Sequence, residues 1–442
     1  MKIHLSDHFS YKTILRFTFP TIVMSVFTSL YSIVDGVFVA NFAGKTALAA
    51  INFVFPVLII LATFGYMFGT GGSALVAKTL GEGDRERGNR LFSLFVYVCT
   101  LLGIAFMVVG FFCLRPLLAM LGAEGDMLDQ AVLYGSILLI SMPFWNLQFL
   151  FQIFFVTAEK PKLGLWVTLI AGGANMLLDA LFVGAFKWGL AGAAVATAIS
   201  QILGGGIPLV YFAMKNTSQL RLGRAGFDGK ALLKGASNGT SELVNGISGS
   251  LVGILYNTQL LRYAGEDGVA AYSIMMYVSM VFIGIFFGYA NGSGPIVGFH
   301  YGAQNRGELK NLFRKNLVLN LLGSAIMLAL SEALARPLST VFAGYDPVLY
   351  DMTLRGFRIY ALSFLFSGLA IMGSSFFTAL NNGMVSALLS FLRTVVFQVA
   401  CVLLFPRMWG VGGIWISLVV AELLAAAVTA AFLAGQRKKY GY

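Results

Sequence analysis

GGSALVAKTLGEGD at residues 71–84 is answered by GSGPIVGFHYGAQN at residues 292–305, with Gly81 on Gly302, when the chain is shifted by 221 residues, half of its length of 442. The same shift holds outward in both directions without a gap. Ala43-Gly44 meets Ala264-Gly265, Arg115-Pro116-Leu117 meets Arg336-Pro337-Leu338, and Ala158 meets Ala379. Trp188-Gly189 meets Trp409-Gly410, with Gly192 on Gly413. Single matches arise by chance, but an ungapped register along the whole chain does not. The chain is one unit written twice.

Each copy is too apolar for water. The chain is 58% hydrophobic and 11% charged, with a mean hydropathy of +0.82, against about 25% charged residues in soluble domains. Stretches long enough to cross a bilayer recur at roughly 13–40, 50–79, 91–113, 130–157, 163–185, 189–214, 237–262, 269–300, 312–334, 349–379, 384–405 and 411–434. The reading is an all-α membrane protein of twelve transmembrane helices in two pseudo-symmetric six-helix bundles. Residues 1–214 form the N-lobe with helices 1–6, residues 215–236 a basic cytoplasmic linker, and residues 237–442 the C-lobe with helices 7–12. The apolar run after Tyr11 is too long for a signal-peptide core and reads as a retained span.

Six is an even number, so both copies start from the same side of the membrane and are related by an axis along its normal. Transporters of this build hold substrate between the bundles and rock one against the other. The formal charge of +11 points to topology rather than to nucleic acid, because Lys and Arg collect in cytoplasmic connections. With both termini inside, the termini and inner connections carry 21 of the 30 basic residues, and each outer connection carries one. A bacterial or archaeal inner membrane is the expected location. Cys99, Cys113 and Cys401 show no paired spacing and read as packing residues, and His4, His8 and His300 are too scattered for a zinc cluster.

Carboxylates at membrane depth are costly and mark function by default. Asp35 lies in the outer part of helix 1, and Asp179 in the outer part of helix 5. Asn175, four residues before Asp179, shares its helix face, and Thr197 on helix 6 reaches a similar depth. Two carboxylates, an amide and a hydroxyl suit a small hard cation; alternatively the two carboxyls share one proton and titrate as a unit. The repeat is a control, since the shifted partners are Tyr256, Val396, Ala400 and Leu418. A polar cluster serving only to hold helices together would be needed in both copies. Pro20 in helix 1 deletes a backbone bond and reads as a hinge or as a first-turn proline.

Three stretches carry a resemblance: VDGVFVANFAG after Pro20, AGGANMLLDALFV and WGLAGAAVATAISQ. With the repeated stretch quoted at the outset, they make the chain similar, over nearly its whole length, to the MATE multidrug and toxic compound extrusion transporters, nearest their DinF-like and MepA-like bacterial branches. The resemblance implies an antiporter driven by protons or sodium, without other cofactors, that exports small, often cationic, amphipathic organic compounds. It implies a cation site at Asp35, Asn175, Asp179 and Thr197, with the Ala193 carbonyl. The NorM-like branch also uses C-lobe acids on helices 7 and 10. Here Glu242 on helix 7 reads as lying near the cytoplasmic end, a solvated or capping group. Arg393 and Glu422 read as an ion pair deep in the C-lobe.

Met142, Trp145, Gln148, Phe149 and Gln152 on helix 4, with Tyr256, are the expected substrate-cavity wall, adaptable enough for varied ligands. GEGDRERGNR at 81–90 also looks like a loop of major facilitator drug exporters, and a lipid or glycan flippase of the wider superfamily is a further alternative. An enzyme would require a nucleophile with its base, or metal ligands, and no such set is present. A channel fits the two-lobe asymmetry less well than a carrier. A monomer is expected.

Overall fold

The computed structural model describes residues 3–42 and 45–442; the Ala43-Gly44 match of the repeat lies outside them. Helices 1 to 6 are Tyr11–Phe42, Lys45–Gly81, Arg85–Met120, Gly125–Thr157, Pro161–Asp179 continued by a wider π-turn at Ala180–Ala185, and Gly189–Ala213. The run Gly229–Gly302 would be about 110 Å long if straight, several bilayer thicknesses. It breaks at Gly265, whose φ of 65° only glycine adopts readily, giving helices 7 (229–264) and 8 (266–302). Helix 9 is Arg306–Ala343. Helix 10 is bent by 44° between Pro347–Ala361 and Phe364–Ala379. The last run breaks at Gly410, φ 58°, into helix 11 (383–409, with a π-turn at Leu392–Phe397) and helix 12 (411–440). The described residues thus make twelve crossings.

The repeat is visible in the backbone. Asp84 accepts from Arg87 N and Asn305 from Glu308 N, so helices 3 and 9 start on matching caps 221 positions apart. Gly189 and Gly410 share a positive φ in register. Between helices 4 and 5, and again between 10 and 11, the left-handed residue is Glu159 in one copy and Asn381 in the other, a slip of one that is made up before Gly189 and Gly410.

Helix 7 begins earlier than hydropathy suggests. Asp228 caps the Ala231 amide and the chain is helical from Gly229, so the irregular part of the connection stops well short of residue 236. Cys99 and Cys401 are buried, but Cys113 is exposed within an outward apolar patch with Val109 and Phe112, where it faces lipid rather than packing inside.

The two six-helix halves meet along helices 1, 2, 7 and 8, and glycines bring the backbones together. A Cβ on Gly239 would lie 1.9 Å from the Met67 carbonyl oxygen, and one on Gly302 2.0 Å from that of Lys78. These crossings lie on the side of the membrane that carries both termini. A strap seals that side: Glu159 of the first half takes His4 Nδ1 and the Leu5 amide, both at 2.7 Å. Glu308 of the second half takes His8 Nδ1 at 2.6 Å and the Phe9 amide at 2.9 Å. Leu5 and Phe9 are fully buried beneath it. Gly239→Val is expected to cost about 1–3 kcal/mol by overpacking this seam. Thermal unfolding in detergent checks it against Gly249→Val, on the same helix with nothing within 4 Å, which is expected to leave the midpoint nearly unchanged.

Candidate functional site

Helix 5 lies between helices 1 and 6, and small residues allow the fit. Gly172 leaves room for the Phe27 and Tyr31 rings of helix 1, and Ser200 of helix 6 donates to the Ala171 carbonyl at 2.8 Å. This packing brings Asp35 and Asp179 close enough for each carboxyl to feel the other. Asp179 is 0% and Asn175 2% exposed, while Asp35 and Thr197 are half-buried. Asn175 Nδ2 lies 3.5 Å from Thr197 Oγ1, and Ala193 packs with Val39 and Val183 beside them. Asp35 thus neighbours Asp179, and Asn175 neighbours Thr197 one turn from Ala193 on helix 6.

Two residues complete the cluster that sequence reasoning missed. Tyr134 of helix 4 stands beside Thr197, and Tyr31 of helix 1 beside Gln148. Tyr31 stands one turn before Asp35, a spacing that was legible; the rotation of helix 4 that aims Tyr134 was not. The helix also widens into its π-turn immediately after Asp179, a feature frequent at functional sites.

The carboxyls are poorly served by the protein. Asp35 Oδ1 and both Asp179 oxygens are buried and receive no donor from any described residue. Ionised carboxylates only accept, so two of them facing each other in low dielectric require a proton or a cation between them. The donor set fits a small hard ion: carboxyl oxygens lacking partners, an amide oxygen and a hydroxyl. No three His, Cys, Asp or Glu gather anywhere among the described residues, so an ion here meets at most two carboxylates.

A family model described as MatE matches residues 20–181 and again residues 243–403, one match in each copy of the repeat. The chain belongs to the MatE family. Relatives include multidrug export protein MepA of Staphylococcus saprophyticus subsp. saprophyticus, 22% identical over 419 residues that cover 94% of this chain and 92% of that protein. MepA of Staphylococcus aureus (strain MRSA252) is 23% identical with the same coverage. A crystal structure of a MATE in complex with MaL6 matches with a TM-score of 0.93 at 21% identity, covering 98% of both chains. An outward-facing multidrug resistance MATE family transporter of the MOP superfamily matches at 0.92 and 21%, covering 98% of this chain and 97% of that one. The MatE match displaces the major facilitator reading of residues 81–90. Asp84 in that stretch is the helix 3 cap.

Within the MatE fold, other expected residues fall in varied places. Pro20 lies nine residues into an unbroken helix 1, so it is not a first-turn proline. Met142 is fully buried in the core of the first half, with Trp145 in the same cluster and Phe149 packed against it. Gln148 and Gln152 line a small cavity against Thr168 and Gly204. Tyr256 is buried, stacked on Tyr272 at 5.4 Å and bonded to Ser417 Oγ at 2.9 Å. Met142 and Tyr256 are therefore packing residues rather than cavity wall, because each is enclosed by its own half. Arg393 Nε meets both Glu422 oxygens, at 2.9 and 3.0 Å. Glu242 is not a capping group: helix 7 starts thirteen residues earlier, and the residue lines one cavity inside the second half and a second that Thr70, Ser73 and Ile153 of the first half also line.

Proposed function

We propose that this MatE-family chain is an exporter of small amphipathic, cationic organic compounds, working as a monomer by alternating access and driven by a proton or sodium gradient. The observation that carries the reading is the set of three buried carboxyl oxygens without donors at Asp35 and Asp179, in a pocket whose counterpart in the second half is apolar or already bonded. Multidrug export by the MepA relatives agrees with it. Asp35, Asp179, Asn175 and Thr197, with Ala193 beside them, form the coupling pocket; sodium would use all four side chains, a proton only the two acids.

The halves, 1–214 and 237–442, are the rocking lobes. The excess of Lys and Arg in the connections puts the strapped, terminal side in the cytoplasm of a bacterial or archaeal inner membrane. Pro20, where helix 1 lacks a backbone bond, is assigned to its bending; full transport by Pro20→Ala would remove that assignment. The family's known members named above are carriers, and an enzymatic role is not part of this reading.

Efflux of ethidium from proteoliposomes, with sodium and proton gradients imposed separately, tests the whole. At least one gradient is expected to accelerate efflux severalfold. Equal efflux with and without both gradients would contradict the reading.

A further inference from the structure

A cavity of about 450 Å³ opens on the terminal side, between the start of helix 3 and the start of helix 7, a size that small-molecule sites share. Leu91 and Leu94 give it an apolar floor, and Arg87, Arg90 and Lys230 line it with charge. Arg90 is paired with Glu86 at 2.9 Å, and the acid in the lining, Asp228, already accepts from the Ala231 amide. Arg87 and Lys230 are exposed and make no ion pair or side-chain hydrogen bond with any described residue. Three cations thus stand against two carboxylates, and two of the cations are unanswered.

The second half shows that the fold can close this space with its own chain. On the shift of 221, Arg87 falls on Glu308, Arg90 on Asn311 and Lys230 on Phe9. There Glu308 takes the Phe9 amide, Asn311 donates to the Phe9 carbonyl oxygen at 3.1 Å, and Phe9 is fully buried. In the first half the connection is also tied to helix 3, since the Arg221 and Gly223 amides donate to Asn89 and Ser93. Yet it leaves the cavity unfilled, and the Phe227 ring, three residues before Lys230, is 88% exposed beside the cations.

Helix 3 sets the depth of the cavity in the bilayer. Arg87, Arg90, Leu94, Tyr97 and Leu101 recur at three- and four-residue steps along one strip, on which Tyr97 and Leu101 are exposed. Tyr97 donates its hydroxyl to the Gly223 carbonyl oxygen at 2.9 Å, and tyrosines of this kind sit at headgroup level. Arg90 and Leu101 are about 16 Å apart along the helix, which is about the hydrocarbon depth of one leaflet. The strip runs from headgroup charge to hydrocarbon on a single face.

We propose that this cavity holds the phosphate headgroup of an anionic phospholipid of the cytoplasmic leaflet, whose acyl chains lie along Leu94, Tyr97 and Leu101. The phosphate meets Arg87 and Lys230, the guanidinium offering it a forked contact, and Phe227 enters the interface as an apolar anchor. A free phosphate ion would use the cations alone and leave the exposed ring and the apolar strip without a role. Bound lipid joins helix 3 of the first half to the start of helix 7 in the second. Of the exporter reading, this site needs only that the terminal side is cytoplasmic.

Thermal unfolding of the full chain in an uncharged detergent tests the site, with dioleoylphosphatidylglycerol, dioleoylphosphatidylcholine or potassium phosphate titrated in. Phosphatidylglycerol is expected to raise the midpoint, and the other two to leave it in place. In Arg87→Gln with Lys230→Gln, the half-saturating phosphatidylglycerol concentration is expected to rise about thirtyfold, as loss of two charge contacts worth about 1 kcal/mol each gives. Lys12→Gln with Arg16→Gln removes the same charge from exposed positions at the terminal end of helix 1 and is expected to leave that concentration unchanged. Should the first pair not fold, Phe227→Ser must still raise it, by less. Equal effects of the two pairs would reduce the contact to general surface charge, and a rise with potassium phosphate alone would make the cavity a free-anion site. Either result overturns the proposal, as does phosphatidylglycerol acting no better than phosphatidylcholine. None of them touches the exporter reading, which the efflux measurement decides.

Discussion

Asp179→Asn is expected to reduce gradient-driven efflux about a hundredfold, to the rate measured without a gradient, while the protein still folds. Asparagine has the shape of aspartate, and Asp179 makes no hydrogen bond that the change would break. What disappears is the charge that, with Asp35, holds a cation or proton. A hundredfold corresponds to about 2.7 kcal/mol, within the range of losing a hydrogen-bonded charge contact. Asp35→Asn is expected to behave alike, and the double variant no worse than either, because residues acting as a unit are not additive. Efflux in proteoliposomes at matched protein density measures all three. Gradient acceleration retained in both single variants would leave the pocket without a coupling role.

The second large effect is on stability. Arg393→Met is expected to destabilise the protein by about 3–5 kcal/mol, because it strands the Glu422 carboxylate, 2% exposed, without its cation. Replacing both, Arg393→Met with Glu422→Leu, is expected to recover most of the loss, since an apolar pair of similar volume is often as stable as a buried ion pair. Thermal unfolding in one detergent resolves the cycle. A double variant as unstable as the single would mean that Arg393 matters chiefly to Glu242 or to helix 11 itself.

The twelve crossings and the repeat were legible because hydropathy and glycine punctuation report on them directly. Helix starts were less so. Hydropathy registers only residues at hydrocarbon depth, and GKALLKGAS at 229–237 mixes lysine with small residues, so the helix capped by Asp228 was read as linker. That error displaced Glu242 toward the surface and hid its place between the halves. The Asp35–Asp179 pocket was legible from depth and from asymmetry between the copies, and so was the Arg393–Glu422 pair, lone opposite charges on neighbouring apolar helices. The π-turns after Asp179 and at Arg393 were not, because ALFVGA and LRTVVF carry no mark separating them from ordinary helix. The placing of Met142 and Tyr256 inside their own halves likewise depends on helix rotation, which composition does not reveal.

The central claim is that one pocket of the first half holds a cation or proton between two carboxyls. Infrared difference spectroscopy tests it most directly, on passing the full-length protein from acidic, sodium-free buffer to alkaline buffer with sodium. One protonated-carboxyl signal is expected to disappear in wild type, to be altered in Asp35→Asn and in Asp179→Asn, which each keep one carboxyl, and to be missing from the variant carrying both changes. A signal that persists undiminished in the double variant would contradict the account.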